Sequence, residues 1–224
     1  MPKELARIIY PLVLVFITCA CAWSQEQKPF WNEIQNFRRQ DSVAPPPQHA
    51  ILFVGSSSFR LWKDVQKNFP DYTIINRGFG GSTLADVIRY ADDIIFPYNP
   101  KQIVIYGGEN DLASEEAPTP EQISDRFVVL FSMIRNRLKN VDIVFVAIKP
   151  CPSRRMLMRK EAEANALIKD FIKKQKQASF VDVYAKMLDS NGEPLADIFR
   201  EDKLHMNNKG YTIWKDAIQP YLLK

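Results

Sequence analysis

Five short apolar runs separated by helix-length amphipathic stretches constrain this chain more than any other feature. Ile51 to Val54 is halted by Gly55, Tyr72 to Asn76 by Gly78, Gln102 to Tyr106 by Gly107-Gly108, and Asp142 to Ile148 by Pro150; Phe180 to Tyr184 is the fifth. Strands of a parallel sheet are covered on both faces, so they read as near-continuous hydrophobic stretches. Helical spacing of apolar residues fills the gaps over Ser82 to Ile95, Glu121 to Leu138, Arg154 to Lys176 and Asn208 to Leu222. Leu84, Val87, Ile88 and Ala91 share one face of the first of these, and Ile123, Phe127, Leu130, Phe131 and Ile134 one face of the second. Such strand–helix alternation predicts a three-layer α/β/α domain. A chain of 224 residues fits one such domain, which would bury roughly 70% of its unfolded surface. It needs neither a disulfide framework nor a metal to hold its core.

Two segments precede the alternating region. Lys3 and Arg7, an apolar run from Ile8 to Ile17, and Ala22-Trp23-Ser24 before Gln25 make residues 1–24 a candidate secretory signal cleaved after Ser24. The apolar run is shorter than the ~20 residues of a membrane span and contains Pro11. A lipoprotein signal is a weaker alternative, because Thr18 and Ala20 make a poor lipobox before Cys19 and Cys21. Residues 25–49 form a second unit. Phe30, Trp31, Ile34 and Phe37 predict a short amphipathic helix over 26–40 docked on the main domain, and Pro45-Pro46-Pro47 a stiff connector. The main domain is expected over residues 50–224. The net charge of +4 is too small and scattered for a nucleic-acid footprint. After signal removal no membrane span is expected, and Cys151 is left as a single thiol that reads as structural.

In an open parallel sheet, ligands bind beyond the carboxyl ends of the strands. The first three runs end in Gly55-Ser56-Ser57-Ser58, in Gly78-Phe79-Gly80-Gly81-Ser82, and in Gly107-Gly108-Glu109-Asn110-Asp111. Three glycine-rich turns at one sheet end suggest close backbone approach to a ligand. The chain has two histidines. His49 falls at the far end of the first strand and reads as a surface residue. His205 lies in Asp202-Lys203-Leu204-His205, where a carboxylate three residues away can orient it. Two histidines and one mature cysteine do not make a common zinc site. No Walker loop occurs. Thr83 breaks the dinucleotide fingerprint beginning at Gly78, and Phe59 breaks the nucleophile elbow beginning at Gly55.

Four blocks in order across residues 50–224 resemble the SGNH hydrolases, the GDSL esterase/lipase superfamily, and within it the branch similar to platelet-activating-factor acetylhydrolase catalytic subunits. Ile51 to Ser58 resembles the first block, Asn76 to Ser82 the second, Gly108-Glu109-Asn110-Asp111 the G-x-N-D block, and Asp202 to His205 the D-x-x-H block. The resemblance implies a flavodoxin-like five-stranded parallel sheet. It implies Ser57 as nucleophile, His205 as base and Asp202 as its carboxylate, with the Ser57 and Gly81 amides and the Asn110 side chain as an oxyanion hole. No cofactor and no metal are expected. Ser56 replaces the usual Asp of the first block, leaving Ser56, Ser57 and Ser58 as neighbouring candidates, of which alignment favours Ser57. The substrates implied are small-molecule, glycan or lipid esters, short acyl groups such as acetyl on carbohydrate above all. Trp62, Phe79 and Met206 read either as walls of an acyl or sugar pocket or as packing residues. A thioesterase and an inactive carbohydrate- or lipid-binding protein on the same scaffold are the alternatives. A cleaved signal implies a secreted or periplasmic protein.

Overall fold

The computed structural model describes residues 28–224. The expected signal segment, with Cys19 and Cys21, lies outside the described residues. The chain begins with α1 (Trp31–Val43) and enters β1 (Ile51–Gly55). Two short helices, α2 (Ser57–Arg60) and α3 (Val65–Asn68), lead to β2 (Ile74–Gly78). Next come α4 (Leu84–Arg89), α5 (Ala91–Ile94) and β3 (Gln102–Tyr106). Then α6 (Glu109–Leu112) and α7 (Pro120–Arg137) precede β4 (Asp142–Val146). The chain closes with α8 (Met158–Ile172), β5 (Ala178–Val181) and α9 (Asn208–Ile218).

The five strands form one parallel sheet in the order β2-β1-β3-β4-β5. This is the flavodoxin-like order that the resemblance implied. Alternate strand residues enter two separate cores. Leu52, Val54, Ile103, Ile105 and Phe145 face the side covered by α1, α4, α5, α7 and α8. Ile51, Phe53, Val104, Tyr106 and Val146 face the side of α2, α3 and α9, where Trp62 and Trp214 pack. The three-layer expectation therefore holds. No described helix is long and apolar enough to cross a membrane.

Several boundaries differ from the sequence reading, each for a local reason. β4 stops at Val146 rather than Ile148 because the buried Asn165 side chain takes over the Ile148 backbone, accepting from its N–H and donating to its carbonyl, both at 2.8 Å. β2 begins later than Tyr72, whose carbonyl accepts from Gln66 at 2.7 Å in a turn, and runs on so that Gly78 pairs with Gly55. β5 lies earlier than Phe180 to Tyr184, because Ala178 and Ser179 pair with Ile143 and Val144. The helix expected over Ser82 to Ile95 divides at Tyr90 and starts from Thr83, whose hydroxyl forms a capping box with Asp86. The helix expected from Arg154 starts at Met158, after a 3-10 segment over Pro152–Leu157 in which Arg154 leaves helical dihedrals. The described helix α1 spans Trp31–Val43, against the expected 26–40, with Ile34 fully buried and Phe30, Trp31 and Phe37 against the core.

Candidate active site

In the observed strand order the chain leaves β1 toward β2 on one side and β3 lies on the other, so the crevice at the carboxyl end of β1 is the switch point where ligands bind. Gly55 ends β1 at φ +139°, and a Cβ there would stand 1.8 Å from the Tyr106 carbonyl oxygen. Only glycine lets the strands remain this close while the chain turns. The Ser56 amide then donates to that same Tyr106 oxygen at 3.2 Å, and α2 begins at Ser57.

Of the three adjacent serines, Ser56 and Ser58 are buried at 2% and 3% exposure. Ser57 alone turns its hydroxyl to His205, with Oγ 3.0 Å from Nε2 across 148 positions of chain. His205 Nδ1 lies 2.7 Å from Asp202 Oδ2. An ionised carboxylate has no proton to give, so Nδ1 carries the ring hydrogen and Nε2 is left to accept from Ser57. The other carboxylate oxygen, Oδ1, accepts from the Leu204 and His205 amides, both at 2.9 Å. Burial works against the Asp202 charge, but the His205 ring and the two amides hold its pKa down at about 2. Lys203, at φ +55°, takes the tight turn of this loop. The Arg200 amide donates to the His205 carbonyl at 2.8 Å, closing it.

Facing Ser57 are the second and third strand ends. The Ser57 and Gly81 amides have no acceptor among the described residues. Gly81 stands beside Asn110: a Cβ on it would be 3.8 Å from Asn110 Nδ2. That Nδ2 donates to the Ser82 carbonyl at 3.1 Å, while Oδ1 accepts from Arg154 at 3.0 Å, which fixes the amide orientation and leaves one N–H uncommitted. Asp111 is fully buried and ties the two turns together, accepting from the Leu84 amide at 2.9 Å and from Arg126 at 2.9 Å.

Beneath these groups lies a charge cluster that sequence reasoning missed. Lys149 and Glu109, with side chains 1% and 4% exposed, form an ion pair at 2.9 Å. Lys149 Nζ also donates to the Leu204 carbonyl at 2.9 Å, one residue before His205. The Tyr106 hydroxyl donates to Glu109 Oε2 at 2.5 Å, and Arg154 lies 3.4 Å from Oε1. Burial opposes the Glu109 charge, but Lys149, Arg154 and the Tyr106 hydroxyl keep its carboxyl below the ordinary range. Glu161 is fully buried close by, with neither oxygen hydrogen-bonded among the described residues. Burial, then repulsion from Glu109, push its pKa up to about 8 against the pull of Lys149 and Arg154. Burial likewise pushes the Cys151 thiol up to about 11, consistent with a structural thiol. The one available signal was a lysine placed directly after the apolar run of β4.

Other candidates fall outside the site. Trp62, Phe79 and Met206 are 2%, 0% and 0% exposed. Trp62 stacks on Tyr211 at 5.0 Å, and Phe79 meets Phe30 edge-on at 5.4 Å, so these residues serve packing rather than an acyl or sugar pocket. His49 is exposed on the approach to β1.

Two outcomes follow from the buried cluster. Lys149→Met leaves Glu109 charged and buried without its ammonium, so it should lower unfolding stability by about 3–5 kcal/mol in urea titrations. It should also slow ester turnover, because the Leu204 carbonyl loses its anchor. A variant as stable as the parent would contradict this role. The folded pKa of Glu161, about 8, exceeds its ordinary 4.5, so the native state holds an extra proton between those values. The stability tied to that proton is intact below the lower value and is lost as pH rises through the upper one. Glu161→Gln cannot ionise, and should gain stability relative to the parent as the medium moves from about pH 5 to about pH 8. A pH-independent difference in melting temperature would contradict this.

Over residues 50–213 the chain matches the model of the GDSL-like Lipase/Acylhydrolase family. Among curated proteins none matches it. Among solved structures it is similar to a protein from Streptococcus pneumonia provisionally named a platelet activating factor, with 21% identity, TM-score 0.75, and 86% of this chain and 92% of that one covered. It is also similar to a provisionally named acylhydrolase from Bacteroides fragilis, with 23% identity, TM-score 0.73, and coverage of 85% and 96%. A third is a mutant of an acetyl-xylooligosaccharide esterase from Geobacillus, with 14% identity, TM-score 0.62, and coverage of 80% and 96%. At these identities the likeness is one of fold. The family match takes in the three strand-end turns and the Asp202–His205 loop, and on it the chain belongs to the GDSL-like lipase/acylhydrolase family of carboxylic ester hydrolases.

Proposed function

We propose that this chain hydrolyses short-chain acyl esters, acetyl groups on carbohydrate foremost, through an acyl-enzyme on Ser57, and that it acts outside the cytoplasm after loss of residues 1–24. The approach of Ser57 Oγ to His205 Nε2 at 3.0 Å carries the mechanistic part of this reading. A serine hydroxyl is a weak nucleophile until a positioned base takes its proton. As Oγ bonds to the ester carbonyl carbon, its proton passes to His205 Nε2. Asp202, with its low pKa, remains ionised, holds the ring tautomer and stabilises the imidazolium. The carbonyl electrons move onto oxygen, where the Ser57 and Gly81 amides and the free N–H of Asn110 would receive them.

Collapse breaks the bond to the alcohol, which leaves with the proton from His205. A water then gives its proton to His205 and attacks the acyl carbon. Release of Ser57 with that proton completes the cycle. Together these steps account for net hydrolysis of the ester, with Ser57 and His205 returned to their starting states.

The fold likeness to the acetyl-xylooligosaccharide esterase is compatible with acetylated carbohydrate. The signal-like residues 1–24 support export to where such glycans occur.

Ser57→Ala should lose nearly all turnover of p-nitrophenyl acetate while remaining folded. Asn110→Ala should lower kcat by roughly 10²–10³, with a smaller change in KM. A full rate in Ser57→Ala, accompanied by loss of activity in Ser56→Ala or Ser58→Ala, would move the nucleophile. In a chain-length series, kcat/KM for acetyl esters should exceed that for octanoyl esters by about tenfold or more, which is about 1.4 kcal/mol in barrier. The reverse order would contradict the short-acyl reading.

A further inference from the structure

We propose that α1, which precedes the family-matched residues, is part of the catalytic apparatus, with Glu33 and Phe30 as positioning residues for the oxyanion turn. The proposal rests on the reading of Gly81 as an oxyanion donor. The turn from Phe79 to Ser82 is held at both ends by the sheet and by Asn110. The Phe79 amide donates to the Gly55 carbonyl at 3.0 Å, and the Ser82 hydroxyl to the same oxygen at 3.2 Å. Between these anchors, the only hydrogen bond to the turn among the described residues is from the Gly80 amide to Glu33 Oε2, at 3.1 Å.

Gly80 needs such a hold. It sits at φ +36°, and the Phe30 ring occupies the space beside it so closely that a Cβ would lie 2.2 Å from that ring. A left-handed residue without its own side chain has little to keep it in place. The aromatic ring on one side and the carboxylate on its N–H confine it. With the Gly80 amide committed to Glu33, the next amide, that of Gly81, is left without an acceptor beside Asn110. Glu33 Oε2 also lies 3.7 Å from the Arg60 guanidinium, on the helix that begins with Ser57. One carboxylate thus joins the oxyanion turn to the helix of the nucleophile.

α1 is itself firmly seated, so the hold can be transmitted. The Tyr90 hydroxyl donates to the Pro29 carbonyl at 2.5 Å, just before the helix. Toward its other end Asp41 pairs with Arg77 of β2 and accepts from the Tyr98 hydroxyl at 2.6 Å.

The test compares the full chain with Glu33→Leu, Glu33→Gln and Asn110→Ala. Steady-state turnover of p-nitrophenyl acetate is measured together with inhibition by an alkyl boronic acid, which accepts Ser57 Oγ to form a tetrahedral adduct. Glu33→Leu is expected to lower kcat about tenfold, to weaken boronic acid binding by a similar factor, and to leave KM within about twofold. Glu33→Gln should restore most of both losses, because its amide oxygen still accepts from Gly80. Parent-like kcat and inhibition in Glu33→Leu, with Asn110→Ala impaired, would overturn the role of α1 and leave the oxyanion reading standing. Parent-like behaviour in Asn110→Ala as well would overturn the oxyanion reading itself. A loss in Glu33→Leu that follows only a lowered melting temperature, with no effect on the boronic acid affinity of the folded fraction, would also overturn the proposal.

Discussion

The buried ion pair between Glu109 and Lys149 is the interaction on which the arrangement at the sheet's carboxyl end depends. Removing a carboxylate and an ammonium from water costs several kcal/mol for each ion, and their attraction offsets this only when the remaining donors and acceptors are also satisfied. Here they are satisfied by the parts of the site. Tyr106 at the end of β3 supplies a hydroxyl to Glu109, Arg154 adds a second cation, and the Leu204 carbonyl completes the surroundings of Lys149. The loop that carries His205 is therefore part of the solvation of a buried charge. It cannot swing away without stripping Lys149 of an acceptor. Arg154 extends the same network to Asn110, so the His205 loop and the Asn110 turn share one support.

Topology explains why residues so far apart in sequence meet. Ser57 follows β1, Gly81 follows β2 and Asn110 follows β3, and the observed strand order puts β1 between the other two. Each of these candidate groups sits within four residues of a strand end, where the sheet's hydrogen bonds fix the backbone. His205 comes from a loop instead, and its rigidity has a different source. Asp202 spends one oxygen on two loop amides and the other on the imidazole. The carboxylate that holds the imidazole also shapes the turn that presents it.

Much of this was legible in the sequence because it depends on short-range chemistry. The apolar runs marked the strands, the glycines marked where they stop, and the D-x-x-H spacing marked a carboxylate and an imidazole within reach of one another. Among the three serines, the burial of Ser56 and Ser58 and the approach of Ser57 to His205 single out Ser57, which a nearly uniform local sequence could not do. Boundaries failed where a side chain replaced the backbone ladder, as Asn165 does at Ile148, or where a small polar residue such as Ser179 was drawn into the sheet by its partner. The supporting residues were illegible for a further reason. Lys149, Arg154 and Glu33 act through contacts spanning tens of residues, and a lone lysine, arginine or glutamate has no periodicity to announce its partner. Trp62, Phe79 and Met206 show the converse, since proximity to a motif in sequence did not give them a place in the site.

Mapping the acyl-enzyme tests the central claim most directly. The protein is mixed with an activated acetyl ester, quenched in acid within the first turnovers, digested, and examined by tandem mass spectrometry. An acetyl group on Ser57, absent from Ser57→Ala, is the expected result. An acetyl group on Ser56 or Ser58, or no covalent adduct at all under conditions of full turnover, would contradict it.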